Sequence, residues 1–100
     1  MDNINTKIED LRSRGIELIK DNHLAAAKEL YIQICALAPE DVDAWYTLSN
    51  ITGMLGDMEM AGECSRRVLE LQNDHCEAHV NLGNVLLNQG KHAEAATEYQ

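Results

Sequence analysis

One hundred residues make at most one compact domain, and 45% hydrophobic with 25% charged side chains is globular rather than disordered composition. A net charge of −9, with Arg66-Arg67 as the only adjacent basic pair, excludes the basic footprint that nucleic acid requires and disfavours an anionic membrane surface. No stretch approaches the ~20 apolar residues of a membrane span.

The opening MDNINTKIED lacks the basic start and apolar run of a secretory signal. Residues 1–7 read as a lead-in. From Ile8, apolar residues recur at helical spacing through Leu11, Ile16, Leu18 and Ile19, then break at Asp21-Asn22. Asn22 suits the left-handed conformation that ends a helix. A second helix is predicted over Leu24–Leu37, with Pro39 beyond it as a stop. Trp45, Leu48, Ile51 and Leu55 mark a third helix, ended by Gly56, with Asp57 placed to cap a fourth over Met58–Leu71. Val80, Leu82, Val85 and Leu86 mark a fifth, followed by the Gly90-Lys91 break and a further helix from His92. Thr6-x-x-Glu9 and Asp74-x-x-Glu77 have capping-box spacing.

Sliding the chain by 34 residues lays Ala44, Leu48, Asn50, Gly56 and Ala61 over Ala78, Leu82, Asn84, Gly90 and Ala95. A weaker copy precedes them: Leu11 lies over Trp45, Gly15 over Ser49, Ala27 over Ala61, Tyr31 over Ser65 and Ile34 over Val68. The expected units are 8–41, 42–75 and 76–100, the third cut short in its second helix. Small residues at fixed places (Gly15, Ser49 and Gly83; Ala27, Ala61 and Ala95) allow the two helices of a unit to cross closely. Arg14 stands where the other units have Leu48 and Leu82, so the first unit is expected to be a degenerate, capping-like one. Thr52, Gly53, Gly62 and Ser65 are small for their places, which predicts that the second unit is the softest.

AWYTLSNITGMLGDMEMAGE and AHVNLGNVLLNQGKHAEAATEY resemble the tetratricopeptide repeat. The resemblance implies an all-α solenoid of two and a half to three helix-turn-helix repeats, stacked as a right-handed superhelix. Its concave groove would be lined by the first helix of each pair. The groove residues implied here are Arg12, Ile16, Ile19 and Lys20; Tyr46, Thr47, Asn50, Gly53 and Met54; and Val80, Asn81, Asn84, Leu87 and Asn88. An asparagine amide carries donor and acceptor together and suits the backbone of an extended peptide. The competing reading is that these side chains are solvated, or that Asn50 and Asn84 bond between neighbouring helices. The third unit is most similar to the repeats of O-GlcNAc-transferase-type proteins, where an asparagine ladder grips peptide backbone. Asn81 matches that ladder, whereas Ser13 and Thr47 depart from it. A carboxylate clamp for an acidic tail fits poorly, because Glu77 and Asn81 stand where cations are needed. Glu9, Asp43 and Glu77 form an acidic row, read as favouring helix N-termini and a neutral to basic partner.

His75-Cys76-x-x-His79 has a spacing that metal ligands use, with Cys64 as the one further donor that folding could bring near; packing is the preferred reading, and no metal is expected. No acid/base carboxylate pair and no phosphate-binding glycine loop stands out, so neither catalysis nor a cofactor is expected. Met54, Met58 and Met60 read as core filler and turn contacts. Cys35, Cys64 and Cys76 lack CxxC spacing and read as reduced thiols in a cytoplasmic protein. Ala95, Ala96 and Tyr99 would leave an apolar side uncovered, which predicts either a longer protein or a homodimer through that end. The expected function is a non-catalytic scaffold that binds a protein or peptide segment in its groove. The alternatives are a substrate-presenting arm of a larger transferase and a self-assembly module.

Overall fold

The computed structural model describes residues 3–90 and Glu98. Among them are five helices and no strand: α1 (Asn3–Lys20), α2 (Leu24–Leu37), α3 (Val42–Met54), α4 (Met58–Leu71) and α5 (Cys76–Asn88). Each helix packs on its neighbour in chain order, and α5 also reaches back to α3. The fold is therefore a stack of helix pairs rather than a bundle around one centre.

The turns repeat the same chemistry. Asn22, Gly56 and Gly90 all take positive φ, of 60°, 86° and 79°. At the first two, the chain closes the helix with an N–H reaching five residues back: His23 to the Leu18 carbonyl at 2.7 Å, and Asp57 to the Thr52 carbonyl at 2.9 Å. Asp57 then caps α4 by accepting from the Met60 N–H, as expected. The two capping boxes do not form as read. Helix α1 begins at Asn3, so Thr6 lies inside it. Helix α5 is capped by His75, one residue after Asp74, with Nδ1 accepting from the Ala78 N–H at 3.1 Å. Asp41, at the matching place of the previous repeat, accepts from the Ala44 N–H at 3.0 Å.

The core runs along the stack. Leu11, Ala27, Tyr31, Ile34, Cys35, Ala44, Leu48, Ile51 and Cys64 form one buried cluster, and Leu82 and Leu86 form a second one against Leu69. Gly15 is buried under the Tyr31 ring, where an added Cβ would lie 2.7 Å from Cε2. At the matching place in the next unit, the buried hydroxyls of Ser49 and Ser65 hydrogen bond at 3.0 Å. Thr52, fully buried, donates to the Leu48 and Ser49 carbonyls. Gly62 lets α5 approach α4, since its Cβ would sit 3.2 Å from Val85 Cγ1. Arg14 is exposed and pairs with Asp10, which gives α1 a polar outer side.

Candidate functional site

A cleft of about 260 Å³ opens between helices α3 and α5. It is lined by Asn50, Gly53, Met54, Asn81 and Asn84 of the expected groove, together with Ser49, Met58, Ala61 and Val85. The four additional residues are the ones sequence reasoning left out. Met58 follows the Gly56 turn and reaches the cleft from the start of α4, a placement that helical periodicity within α3 does not reveal.

Asn81 is tied into the stack. Its Nδ2 donates to Asn50 Oδ1 at 2.8 Å and to Ser49 Oγ at 3.2 Å, and Ser49 in turn bonds Ser65. Both amide hydrogens of Asn81 are thus used between α5 and α3. Bonding between neighbouring helices was weighed above for Asn50 and Asn84; Asn50 makes such a bond, with Asn81 as its partner. Asn84 is exposed and lines the same cleft. Met54 is 62% exposed, which corrects its reading as core filler; Met60 does pack against the core, and Met58 is half-buried in the cleft wall.

The remaining expected groove residues lie elsewhere on the first helices. Arg12 forms an ion pair with Asp41, joining α1 to the capped start of α3. Ile16 is exposed, Ile19 packs partly against the core, and Lys20 pairs with Glu17. Tyr46 packs against His75 with ring centroids 4.9 Å apart and the planes tilted by 45°, and Thr47 is half-buried. Val80, Leu87 and Asn88 are exposed on α5. Ala95, Ala96 and Tyr99, expected to mediate self-association, lie outside the described residues.

A second, acidic cleft sits at the starts of α3 and α5, lined by Asp41, Asp43, Asp74, His75, Cys76 and Glu77 among others. Of the acidic row, Asp43 and Glu77 meet here, in the first turns of their helices, where carboxylates are stabilised. His75 and His79 do not converge on a ligand position. His75 Nδ1 accepts from the backbone, whereas His79 donates from Nε2 to the Asn73 carbonyl at 2.9 Å and from Nδ1 to the Glu98 carboxylate at 2.8 Å. The carbonyl first, and then the carboxylate, raise the His79 pKa above its ordinary value. Trp45, one repeat earlier, makes the same contact with its indole N–H to the Pro39 carbonyl at 2.7 Å. Cys35 and Cys64 are buried, and desolvation pushes both thiols up to about 12.

These geometries recur one repeat apart: cap, ring-to-carbonyl bond, small residue at the crossing, left-handed turn. The profile of the tetratricopeptide repeat matches residues 42–75 and 77–100, more than half of the chain. The chain belongs to the tetratricopeptide repeat family. Over 57 residues this repeat protein is 37% identical to tetratricopeptide repeat protein 8 of Homo sapiens, a span of 57% of this chain but 10% of that one. The chain thus spans about a tenth of the curated relative's length. Its fold is similar to that of MamA, with a TM-score of 0.87 at 20% identity, over 92% of this chain and 54% of that one. It is similar to the Yersinia enterocolitica type III secretion chaperone SycD, solved with a peptide of the translocator YopD, with a TM-score of 0.85 at 18% identity, over 90% of this chain and 69% of that one. A mutant O-GlcNAc transferase of Thermobaculum terrenum also contains the fold, with a TM-score of 0.82 at 24% identity, over 98% of this chain and 19% of that one. At these identities the likeness is one of fold. Among the described residues of this repeat protein, no helix is long and apolar enough to cross a membrane.

Proposed function

We propose that this repeat protein is an interaction module that takes an extended peptide segment of a partner into the cleft between α3 and α5. The observation that carries the reading is the lining of that cleft. Exposed Met54 and half-buried Met58 offer flexible apolar contact, and the polar side chains of Asn50 and Asn84 line the same opening. Asn81 has a supporting part, because its amide hydrogens hold α5 against α3. The chain's net charge of −9 favours a neutral to basic partner. SycD, a protein of like fold, was solved with a peptide, which lends the reading support by analogy. The same cleft would serve if the repeats formed the arm of a larger enzyme.

A displayed library of random peptides, selected on the purified chain and followed by fluorescence anisotropy, tests the proposal. Selected peptides should lose about tenfold or more in affinity, at least 1.4 kcal/mol, with Met54→Glu and with Asn84→Ala. They should keep it with Glu63→Ala on the exposed side of α4. Selected peptides indifferent to both cleft substitutions, or a selection that enriches none, would overturn it.

A further inference from the structure

The third repeat replaces two fixed contacts of the second with titratable ones. In the second repeat, the Asp41 carboxylate caps α3 and the Trp45 indole donates to the Pro39 carbonyl. A carboxylate remains an acceptor, and an indole N–H remains a donor, throughout the neutral and mildly acidic range. In the third repeat both places are histidines, four residues apart at the start of α5. Histidine is the side chain whose charge ordinarily changes between about pH 5 and about pH 8.

The two rings need opposite states. His75 Nδ1 accepts from the Ala78 N–H, so it must carry a lone pair. Protonation turns that nitrogen into a donor, removes the cap and sets a cation at the positive end of the helix dipole. A new acceptor is close by: Glu77 Oε1 lies 3.9 Å from the same Nδ1. The other groups facing His75 are Tyr46, whose tilted ring packs on it from α3, and Asp41, Asp43, Asp74 and Cys76 around the acidic cleft. His79 donates from both nitrogens, to the Asn73 carbonyl and to the Glu98 carboxylate, and only the imidazolium has both hydrogens to give.

We propose that the entry to α5 is a pH-sensitive joint in which His75 and His79 act in opposite senses. In its neutral form His75 holds the first turn of α5, and neutral His79 bonds one of its two acceptors. Once protonated, His75 Nδ1 leaves the Ala78 N–H for the Glu77 carboxylate, while protonated His79 closes both of its bonds. The turn between α4 and α5 is then fastened through Asn73 instead of at the cap, and α5 is tied to Glu98 beyond it. Because His75 also packs against Tyr46, the exchange alters the seat of α5 on α3.

Proton and nitrogen NMR on the full chain between about pH 5.5 and about pH 7.5 tests this. The imidazole nitrogen shifts should report a neutral His75 with Nδ1 unprotonated at the upper pH, and a doubly protonated His79 at the lower. The protection factor of the Ala78 amide against hydrogen exchange should fall about fivefold on acidification, the loss expected for one N-cap. In His75→Asp, which restores the cap found at Asp41, that protection should be flat across the range. An Ala78 amide whose protection does not change in the wild type, or changes equally in His75→Asp, would sink the proposal. So would a His75 protonated on Nδ1 at the upper pH.

Discussion

Gly15 and Tyr31 show how one residue sets a helix crossing. The Tyr31 ring lies where a Gly15 side chain would begin, so α1 and α2 close by giving all of the space to the ring. One repeat later the same crossing divides that space between Ser49 and Ser65 and joins them by a hydrogen bond. Gly15→Ala should therefore destabilise the protein by about 1–3 kcal/mol through overpacking, measured as a lower urea midpoint at unchanged slope. Gly15→Ser combined with Tyr31→Ser rebuilds the second repeat's pair. It should cost less than the sum of the two single changes, because the residues touch; additivity would contradict this packing argument. The thiols differ in the same local way. Cys76 is exposed, while burial pushes Cys35 and Cys64 up to about 12. At mildly basic pH, only Cys76 should react promptly with a disulfide reagent in the native chain, and all three thiols should react in urea. Prompt reaction of more than one thiol in the native state would refute that assignment.

At the scale of the helix, the decisive features are ends and braces. Asn22 does in the first turn what Gly56 and Gly90 do in the others, because a short polar side chain tolerates the left-handed region better than other non-glycine residues. Asn81 is the brace between repeats. Asn81→Ala removes two donated hydrogen bonds and should cost about 1–2 kcal/mol in denaturant unfolding, whereas exposed Asn88→Ala on the same helix should stay within about 0.5 kcal/mol. Equal effects would assign Asn81 to the solvated face instead. His79 makes stability depend on pH. Its value in the folded chain is raised above 6.5, so its contribution is complete below pH 6.5 and is lost as pH climbs through the folded-state value. The gap in urea midpoint between the wild type and His79→Gln should accordingly be widest in mild acid and narrow as pH rises. A gap independent of pH would remove His79 from the account.

Across the whole molecule, contacts run between neighbouring helices and from α3 to α5; among the described residues, α1 makes no helix-to-helix packing with α4 or α5. A perturbation at one end should stay there. In Gly15→Ala, native-state hydrogen exchange should quicken in α1 and α2 and leave α5 unchanged; faster exchange throughout would mean that the stack opens as a single unit. The same architecture explains what could be read in advance. A repeat unit is built from local signals, namely apolar spacing, a left-handed residue after each first helix and small residues at each crossing. Leu24–Leu37 and Met58–Leu71 are therefore bounded in the structure as they are in the residue pattern. The start of α5 departs from its pattern for an equally local reason. Asp74-x-x-Glu77 has capping-box spacing, yet the cap is the next residue, His75, which stands where Asp41 caps α3 one repeat earlier. The groove was legible only in part. Asn50, Gly53, Met54, Asn81 and Asn84 meet in the cleft, whereas Arg12 is held by Asp41 and Tyr46 by His75.

Helix content, the 34-residue period and the family thus follow from the residues alone, because each depends on spacing within one chain segment. Which polar groups spend their hydrogen bonds inside the stack was decided only by tertiary structure. Asn81 and Asn84 sit three residues apart on one helix with the same amide chemistry. Asn81 bonds Ser49 and Asn50 across the interface with α3, and Asn84, exposed, lines the cleft. The partners of Asn81 belong to another helix, and no pattern within α5 encodes them.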